Sequence, residues 1–333
     1  MLTNAQKPVK IGVSGAGKMA SNHARVIASN LSDAVLVGVY DPDSSRAEDL
    51  AATWGVQSFS SFDELLQHSE AVIIASATDV HFQQASQALQ SDKHVLVEKP
   101  VCATFSQALR LQQLAHEIPN CPKLQVGHIE HFNPSAIEVM NFAEIIEPLV
   151  ITAKRLGPHD LRTSGTDVVS DLMLHDIHIV TQFTSSDIKL VTAVGISHPG
   201  CKPDYAHATL AFQDGTIAQL TASRITEEKQ RVLNITAKDV HVTADYTKRS
   251  VEVSRCSDII DLSDEHASRY QQDSIIHKLF VPYGEPLSAE LRSFVASIQE
   301  NQPVAVDIQQ AVRCMELVDQ INQVIHIQER KLR

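Results

Sequence analysis

Short apolar runs alternate with amphipathic stretches through the first 125 residues. Val9–Ser14, Val35–Tyr40, Ala71–Ser76, His94–Val97 and Leu124–Val126 are apolar and too short for helices, so they predict buried strands. The stretches between them predict helices with defined starts. Ser61 with Glu64, and Thr104 with Gln107, stand at the spacing of a capping box, in which a hydroxyl accepts from the N–H three residues on. Strand–helix alternation of this kind predicts a doubly wound parallel sheet of Rossmann type, an α/β domain over residues 1–125.

Around Gly127 the pattern changes. Leu210–Phe212 and Ile217–Thr221 flank Gln213-Asp214-Gly215, which predicts a hairpin. Leu233–Thr236, Val240–Thr243 and Val251–Ser254 continue as strands, some alternating apolar with polar residues. Two helices are expected to close the chain, over Ser288–Glu300 and Asp307–Gln328, with Asp307 and Gln310 forming a further cap. Residues 126–333 thus predict a second, α+β domain built on a large, mostly antiparallel open sheet.

A length of 333 residues agrees with two domains. Hydrophobic residues at 43% and charged residues at 20% are ordinary for a folded chain, which excludes a disordered one. Twenty-eight lysines and arginines against 40 acids give a net charge of -12, which argues against nucleic-acid partners and anionic membrane surfaces. No apolar run approaches a membrane span, and Met1–Lys7 is too polar for a signal peptide. Cysteines 102, 121, 201, 256 and 314 are scattered without a Cys-x-x-Cys pair, so neither a disulfide framework nor structural zinc is expected. A reducing cytoplasm is the expected location.

The strand at Val9–Ser14 runs directly into Gly15-Ala16-Gly17-Lys18-Met19-Ala20. Such a segment needs Gly15 for a tight turn, Gly17 for close approach to a pyrophosphate, and a small residue at Ala20 for helix-on-strand packing. Asp41 closes the second strand, where a carboxylate accepts from ribose hydroxyls and repels a 2′-phosphate. NAD is therefore the expected cofactor, while Arg46 nearby keeps NADP as the alternative.

Glu98-Lys99-Pro100 places an acid and a base at the carboxyl end of a buried strand, the rim where ligands bind in open α/β sheets. By spacing alone Lys99 has two readings, a proton acceptor for a substrate hydroxyl or a solvated strand-end lysine. If 171–182 is helical, Asp171, His175, His178 and Gln182 fall on one polar stripe among apolar faces. Three readings stand for that stripe: catalysis, with His175 as proton acceptor and Asp171 orienting it; a satisfied core histidine; or a metal site through His175 and His178. No third ligand at diagnostic spacing accompanies the last, and no metal is expected.

Taken in order, Gly15–Arg25, the Ala75–His81 turn, Glu98-Lys99-Pro100, Asp171 with His175, and Glu285-Pro286-Leu287 resemble the Gfo/Idh/MocA oxidoreductases over nearly the whole chain. Ala77 departs from the proline usual there, and His178 from a common aspartate. The resemblance implies that Lys99 and His175 carry proton transfer coupled to hydride transfer, with Asp171 in support. It places Ser76, Thr78 and His81 along the cofactor and Glu98 near the nicotinamide ribose. It also implies an open sheet that pairs with another subunit, in a homodimer or homotetramer.

Gly127–Pro134 and Asp167–Ile179 are similar to the subgroup that oxidises the 3-hydroxyl of UDP-N-acetylglucosamine, a step towards lipid A amino sugars. A sugar nucleotide needs donors for its diphosphate, and Arg155, His159, Arg162 and Arg224 are the candidates, with Asn133 expected at the sugar. The rivals are an inositol or free-sugar dehydrogenase and a non-catalytic NAD-binding protein.

Overall fold

Two compact units organise the chain in the computed structural model, which describes residues 7–158, 166–197, 202–261 and 270–332. The first comprises residues 1–132 and 284–316, and the second 133–283 and 317–333.

The first unit strings together β1 (Val9–Ser14), α1 (Lys18–Asn30), β2 (Ala34–Tyr40), α2 (Ser44–Trp54), β3 (Gln57–Ser58), α3 (Phe62–His68), β4 (Ala71–Ile74), α4 (Thr78–Gln90), β5 (His94–Glu98), α5 (Phe105–Glu117) and β6 (Leu124–Gly127). Its six strands are parallel in the order β3-β2-β1-β4-β5-β6, the Rossmann arrangement. The predicted caps form: Ser61 Oγ accepts from Glu64 N at 3.1 Å, and Thr104 Oγ1 from Gln107 N at 3.2 Å.

Alternation along the strands sends side chains to two apolar layers. Val13, Ile73 and Leu96 pack with α1, and Val72, Ile74, Val95 and Val97 pack with α3, α4 and α5. The carboxy-terminal segments complete both layers. Leu287, Leu291, Phe294 and Val295 of α8 (Pro286–Gln299) join the first. Val306, just before α9 (Ile308–Leu332), and Ile308, Ala311, Val312 and Met315 at its start join the second. The expected division into 1–125 and 126–333 is corrected accordingly, because residues 284–316 cover the parallel sheet and Val126 N donates to Val306 O at 3.0 Å.

The second unit opens with α6 (Pro134–Met140) and β7 (Val150–Leu156), followed by a π-helical turn at Val169–Met173 that runs into α7 (Leu174–Val180). Its remaining strands are β8 (Ile188–Ile196), β9 (Tyr205–Phe212), β10 (Ile217–Ser223), β11 (Gln230–Thr236), β12 (Val240–Asp245), β13 (Ser250–Asp261) and β14 (Tyr270–Leu279). They form one eight-stranded sheet, β14-β13-β12-β11-β7-β10-β9-β8, antiparallel except for β7 against β10. The predicted hairpin is β9–β10, with Gly215 at a φ of +94° in its turn. Alanines 206, 208, 218 and 222 are fully buried on one sheet face, and small side chains there let the π-helical turn and α7 approach closely. Among the described residues no helix is long and apolar enough to cross a membrane.

Candidate active site

The nucleotide end of the first unit is built where β1 meets α1. Gly15 has a φ of +107°, and a Cβ there would meet Ala75 O at 2.5 Å, so only glycine makes this turn. At Gly17 a Cβ would meet nothing within 4 Å, which leaves the backbone at the start of α1 open to a ligand. No side chain caps α1, and its first turn carries no acid. Its free N–H groups and dipole therefore suit an anion.

A cavity of about 610 Å³ adjoins this helix start and is lined by Gly15, Gly17, Asp41, Arg46 and Ser76 among the residues expected at the cofactor. Tyr40, Gln84 and Asp79 line it too, although nothing in the sequence pattern singled them out. Gln84 ties β1 to the turn after β4, since its Oε1 accepts from Ser14 Oγ at 3.1 Å and from Ser76 Oγ at 2.8 Å. Asp41 uses Oδ2 to hold Ala16 N at 2.7 Å and Oδ1 to hold Asp43 N at 3.0 Å. Each oxygen keeps a second lone pair for a ribose hydroxyl.

Other expected cofactor residues are placed differently. Ala16 spends its N–H on Asp41, Lys18 is exposed, and Met19 packs against the apolar layer under α1. Thr78 is half-buried at the start of α4. His81 is 1% exposed, its ring held between Ser76 O at 3.1 Å and Pro100 O at 3.0 Å. It braces two turns, and burial lowers its pKa. Glu98 turns towards His23, whose Nε2 lies 2.7 Å from its Oε1. Lys99 is half-buried at the end of β5, with its backbone N–H on Glu98 Oε2 at 3.2 Å.

Just beyond β6, His128 is held down at about 3 by burial first, then by the positive Lys99 and by His131; burial holds His131 at about 4. Both rings are thus neutral in the folded protein, whereas unfolded histidine titrates near ~6.5. Below that value the unfolded chain binds more protons, so stability is full above it and falls as pH drops towards the folded values. Between pH 7 and pH 5 each ring should cost roughly 2 kcal/mol of unfolding free energy. Urea unfolding at the two pH values checks this; a His128→Asn variant should show a shallower pH dependence, and an unchanged one would count against it.

In the second unit Asp171 lies half-buried on the π-helical turn and His175 on α7 at 9% exposure. A cluster anchors the turn: Asp167 accepts from Ser170 N at 2.7 Å and Ser170 Oγ at 2.9 Å, and Asn322 of α9 donates to Asp167 Oδ1 at 3.4 Å. The uniform α-helical stripe expected over 171–182 is corrected here. Its first turn is π-helical, and Gln182 falls past the end of α7, donating to His178 O at 3.2 Å.

Two of the expected diphosphate donors are held by acids. Arg155 is 2% exposed and grips Asp176 of α7 through Nε at 2.9 Å and Nη2 at 2.8 Å. Arg224 is 3% exposed on Asp204 at 2.7 Å. Each buried guanidinium thus has the acid partner that its burial requires. His159 and Arg162 lie outside the described residues. Asn133 caps α6, accepting from Ser135 N at 3.0 Å. A second cavity of about 990 Å³, among residues 143–149, 214–216 and 237–240, is lined by none of the candidate residues.

A Rossmann sheet whose glycine-led, uncapped helix opens on an acid-bordered cavity defines a dinucleotide-binding protein. Residues 9–128 match an oxidoreductase family with an NAD-binding Rossmann fold, and residues 153–250 match the GFO/IDH/MocA C-terminal domain. The chain belongs to the Gfo/Idh/MocA family of oxidoreductases, as the sequence resemblance implied.

It is 30% identical over 304 residues to a UDP-N-acetylglucosamine 3-dehydrogenase of Acidithiobacillus ferrooxidans, covering 90% of this chain and 91% of that one. The solved structure of the Acidithiobacillus enzyme superposes with a TM-score of 0.82 at 28% identity, over 96% of this chain and 98% of that one. A glucose-6-phosphate 3-dehydrogenase of Bacillus subtilis is 41% identical over 142 residues, 43% of this chain and 38% of that protein. A scyllo-inositol dehydrogenase of Lactobacillus casei, solved with NAD(H) and scyllo-inositol, shares the fold at a TM-score of 0.78 and 21% identity, over 97% of this chain and 98% of that one.

Proposed function

We propose that the protein is an NAD-dependent dehydrogenase of a nucleotide-linked amino sugar, oxidising the 3-hydroxyl of UDP-N-acetylglucosamine to the 3-keto sugar. The observation that carries this reading is the 30% identity to a dehydrogenase of that sugar across 90% of the chain. The stronger local identity to a glucose-6-phosphate enzyme spans only 43% of the chain, so it weighs less on the substrate.

Bound NAD supplies the hydride acceptor. Gly15, Gly17 and the start of α1 would hold its pyrophosphate, and Asp41 its ribose. Oxidising an alcohol also releases the hydroxyl proton, which a side chain has to take. Lys99 and His175 are the groups assigned to it, with Asp171 supporting His175. A positive Lys99 would stabilise the developing alkoxide when the proton goes to His175. Either could take the proton in this reading, so neither alone is named the base. Self-association belongs to the same reading: exposed Leu190, Val194 and Ile196 share one face of the edge strand β8.

A thermal-shift panel of NAD with UDP-N-acetylglucosamine, UDP-glucose, glucose 6-phosphate, inositol and glucose tests it, because a ligand of the native state raises apparent stability. UDP-N-acetylglucosamine should give the largest added shift and NADH on incubation. A larger response to inositol, or to glucose 6-phosphate, would replace the proposal with that dehydrogenase.

A further inference from the structure

Three titratable side chains from distant parts of the sequence meet inside the first unit. His23 of α1 and Glu290 of α8 are 0% exposed, and Glu98 of β5 is 6% exposed. Each offers an atom within 4.8 Å of the other two. Both Glu98 oxygens are engaged, with His23 Nε2 at 2.7 Å on one and the Lys99 N–H at 3.2 Å on the other. Neither carboxyl oxygen of Glu290 has a hydrogen-bond partner among the described residues, although Leu287, Leu291 and Phe294 on the same helix are core.

Two ionised carboxylates beside one histidine would leave uncompensated negative charge in an apolar layer. Only a proton or a cation relieves that. A cation would have to open the short His23–Glu98 bond and take Glu290 as an anion. A proton leaves that bond in place.

We propose that Glu290 is kept as the neutral acid, so that Glu98 alone carries the charge that binds His23 and the Lys99 amide. Burial, and then the negative Glu98, push Glu290 well above the usual carboxylate range, in the same direction. The other titratable groups on the elements around it are Lys18 and Arg25 on α1, Lys99 after β5, His128 after β6, Glu130 and His131 on the turn packed against α8, and Arg292 on α8 itself. Gln125 of β6 donates to the backbone O of Glu290 at 3.4 Å, which fixes the helix and leaves the carboxyl to the cluster.

Glu290 is then a positioning residue. Ionised, it would compete with Glu98 for His23 and loosen the carboxylate that holds the Lys99 backbone. This consequence for turnover rests on the dehydrogenase reading; the protonation state does not.

Infrared difference spectra of the full-length protein in H2O and D2O decide the protonation state. A protonated-carboxyl C=O band should be present at neutral pH and absent in Glu290→Gln. Absence of the band in the wild type, its persistence in Glu290→Gln, or one tightly bound divalent metal per chain by elemental analysis would each overturn the proposal. If Glu290→Gln does not fold, 13C-carboxyl NMR of the wild type serves instead, with one glutamate keeping its acid-form shift through neutral pH. In kinetics, Glu290→Ala should lower kcat about tenfold at unchanged KM for NAD, and Glu290→Gln should restore most of it. If no sugar is turned over at all, the dehydrogenase reading fails while the infrared result still decides the state of Glu290.

Discussion

Replacing Lys99 with alanine should lower turnover by about a thousandfold while leaving NAD affinity near that of the wild type. The size follows from removing a positioned proton-transfer group, whose contribution is typically ~10²–10⁴-fold. The selectivity follows from the structure, since the nucleotide cavity is lined by Gly15, Gly17, Asp41, Arg46 and Ser76 and not by Lys99. Lys99 is half-buried at the end of β5, with its backbone N–H on Glu98. Steady-state rates with UDP-N-acetylglucosamine, beside calorimetric titration of NAD, check both halves. Wild-type turnover in this variant would return Lys99 to the solvated reading and remove the proton acceptor from the first unit.

What could be read in advance was whatever depends on local pattern. The parallel strands of the first unit stand out because burial on both faces makes them short unbroken apolar runs, and all five predicted ones form within two residues of their expected ends. The cap at Asp307 and Gln310 was equally legible, and the structure makes it reciprocal: Asp307 Oδ1 holds Gln310 N at 2.8 Å and Gln310 Oε1 holds Asp307 N at 3.0 Å. The glycine turn and Asp41 were visible for the same reason, being turn chemistry at fixed spacing.

Four strands went unread: β3 is only two residues long, β7 and β8 carry polar or exposed side chains on one face, and residues 275–278 of β14 are exposed on both, while in β8 apolar residues themselves face outward. Nor does an amphipathic helix declare which sheet it will cover, so α8 and the start of α9 were assigned to the wrong unit. A π-helical turn has no signature in a periodicity search that assumes one pitch. Asp171 and His175 keep their places on that segment, but Gln182 leaves their stripe. The His23–Glu98–Glu290 cluster was invisible because its members lie on three separate elements. A catalytic reading of Glu98-Lys99-Pro100 also drew attention to the lysine and away from its neighbour.

Arg155 is buried against Asp176, and the largest stability loss should follow from breaking that pair. The guanidinium and the Asp176 carboxylate are joined by two hydrogen bonds of 2.8 and 2.9 Å, with side chains only 2% and 5% exposed. Removing either partner leaves an uncompensated buried charge, so Arg155→Met or Asp176→Leu alone should each destabilise by about 3–5 kcal/mol. The double variant restores neutrality and should recover a large part of the loss, giving an interaction energy well outside additivity. Urea unfolding of the four proteins closes the cycle. Because β7 and α7 are fastened through this pair, the loss should reach the helix that carries His175. The same variants separate the two roles proposed for the arginine: as an internal strut it leaves the intrinsic affinity for UDP unchanged in whatever fraction remains folded. A diphosphate ligand would instead lose UDP affinity in Arg155→Met, and the Asp176→Leu partner substitution would not recover it. Additive losses across the cycle, together with weakened UDP binding, would make Arg155 a substrate contact.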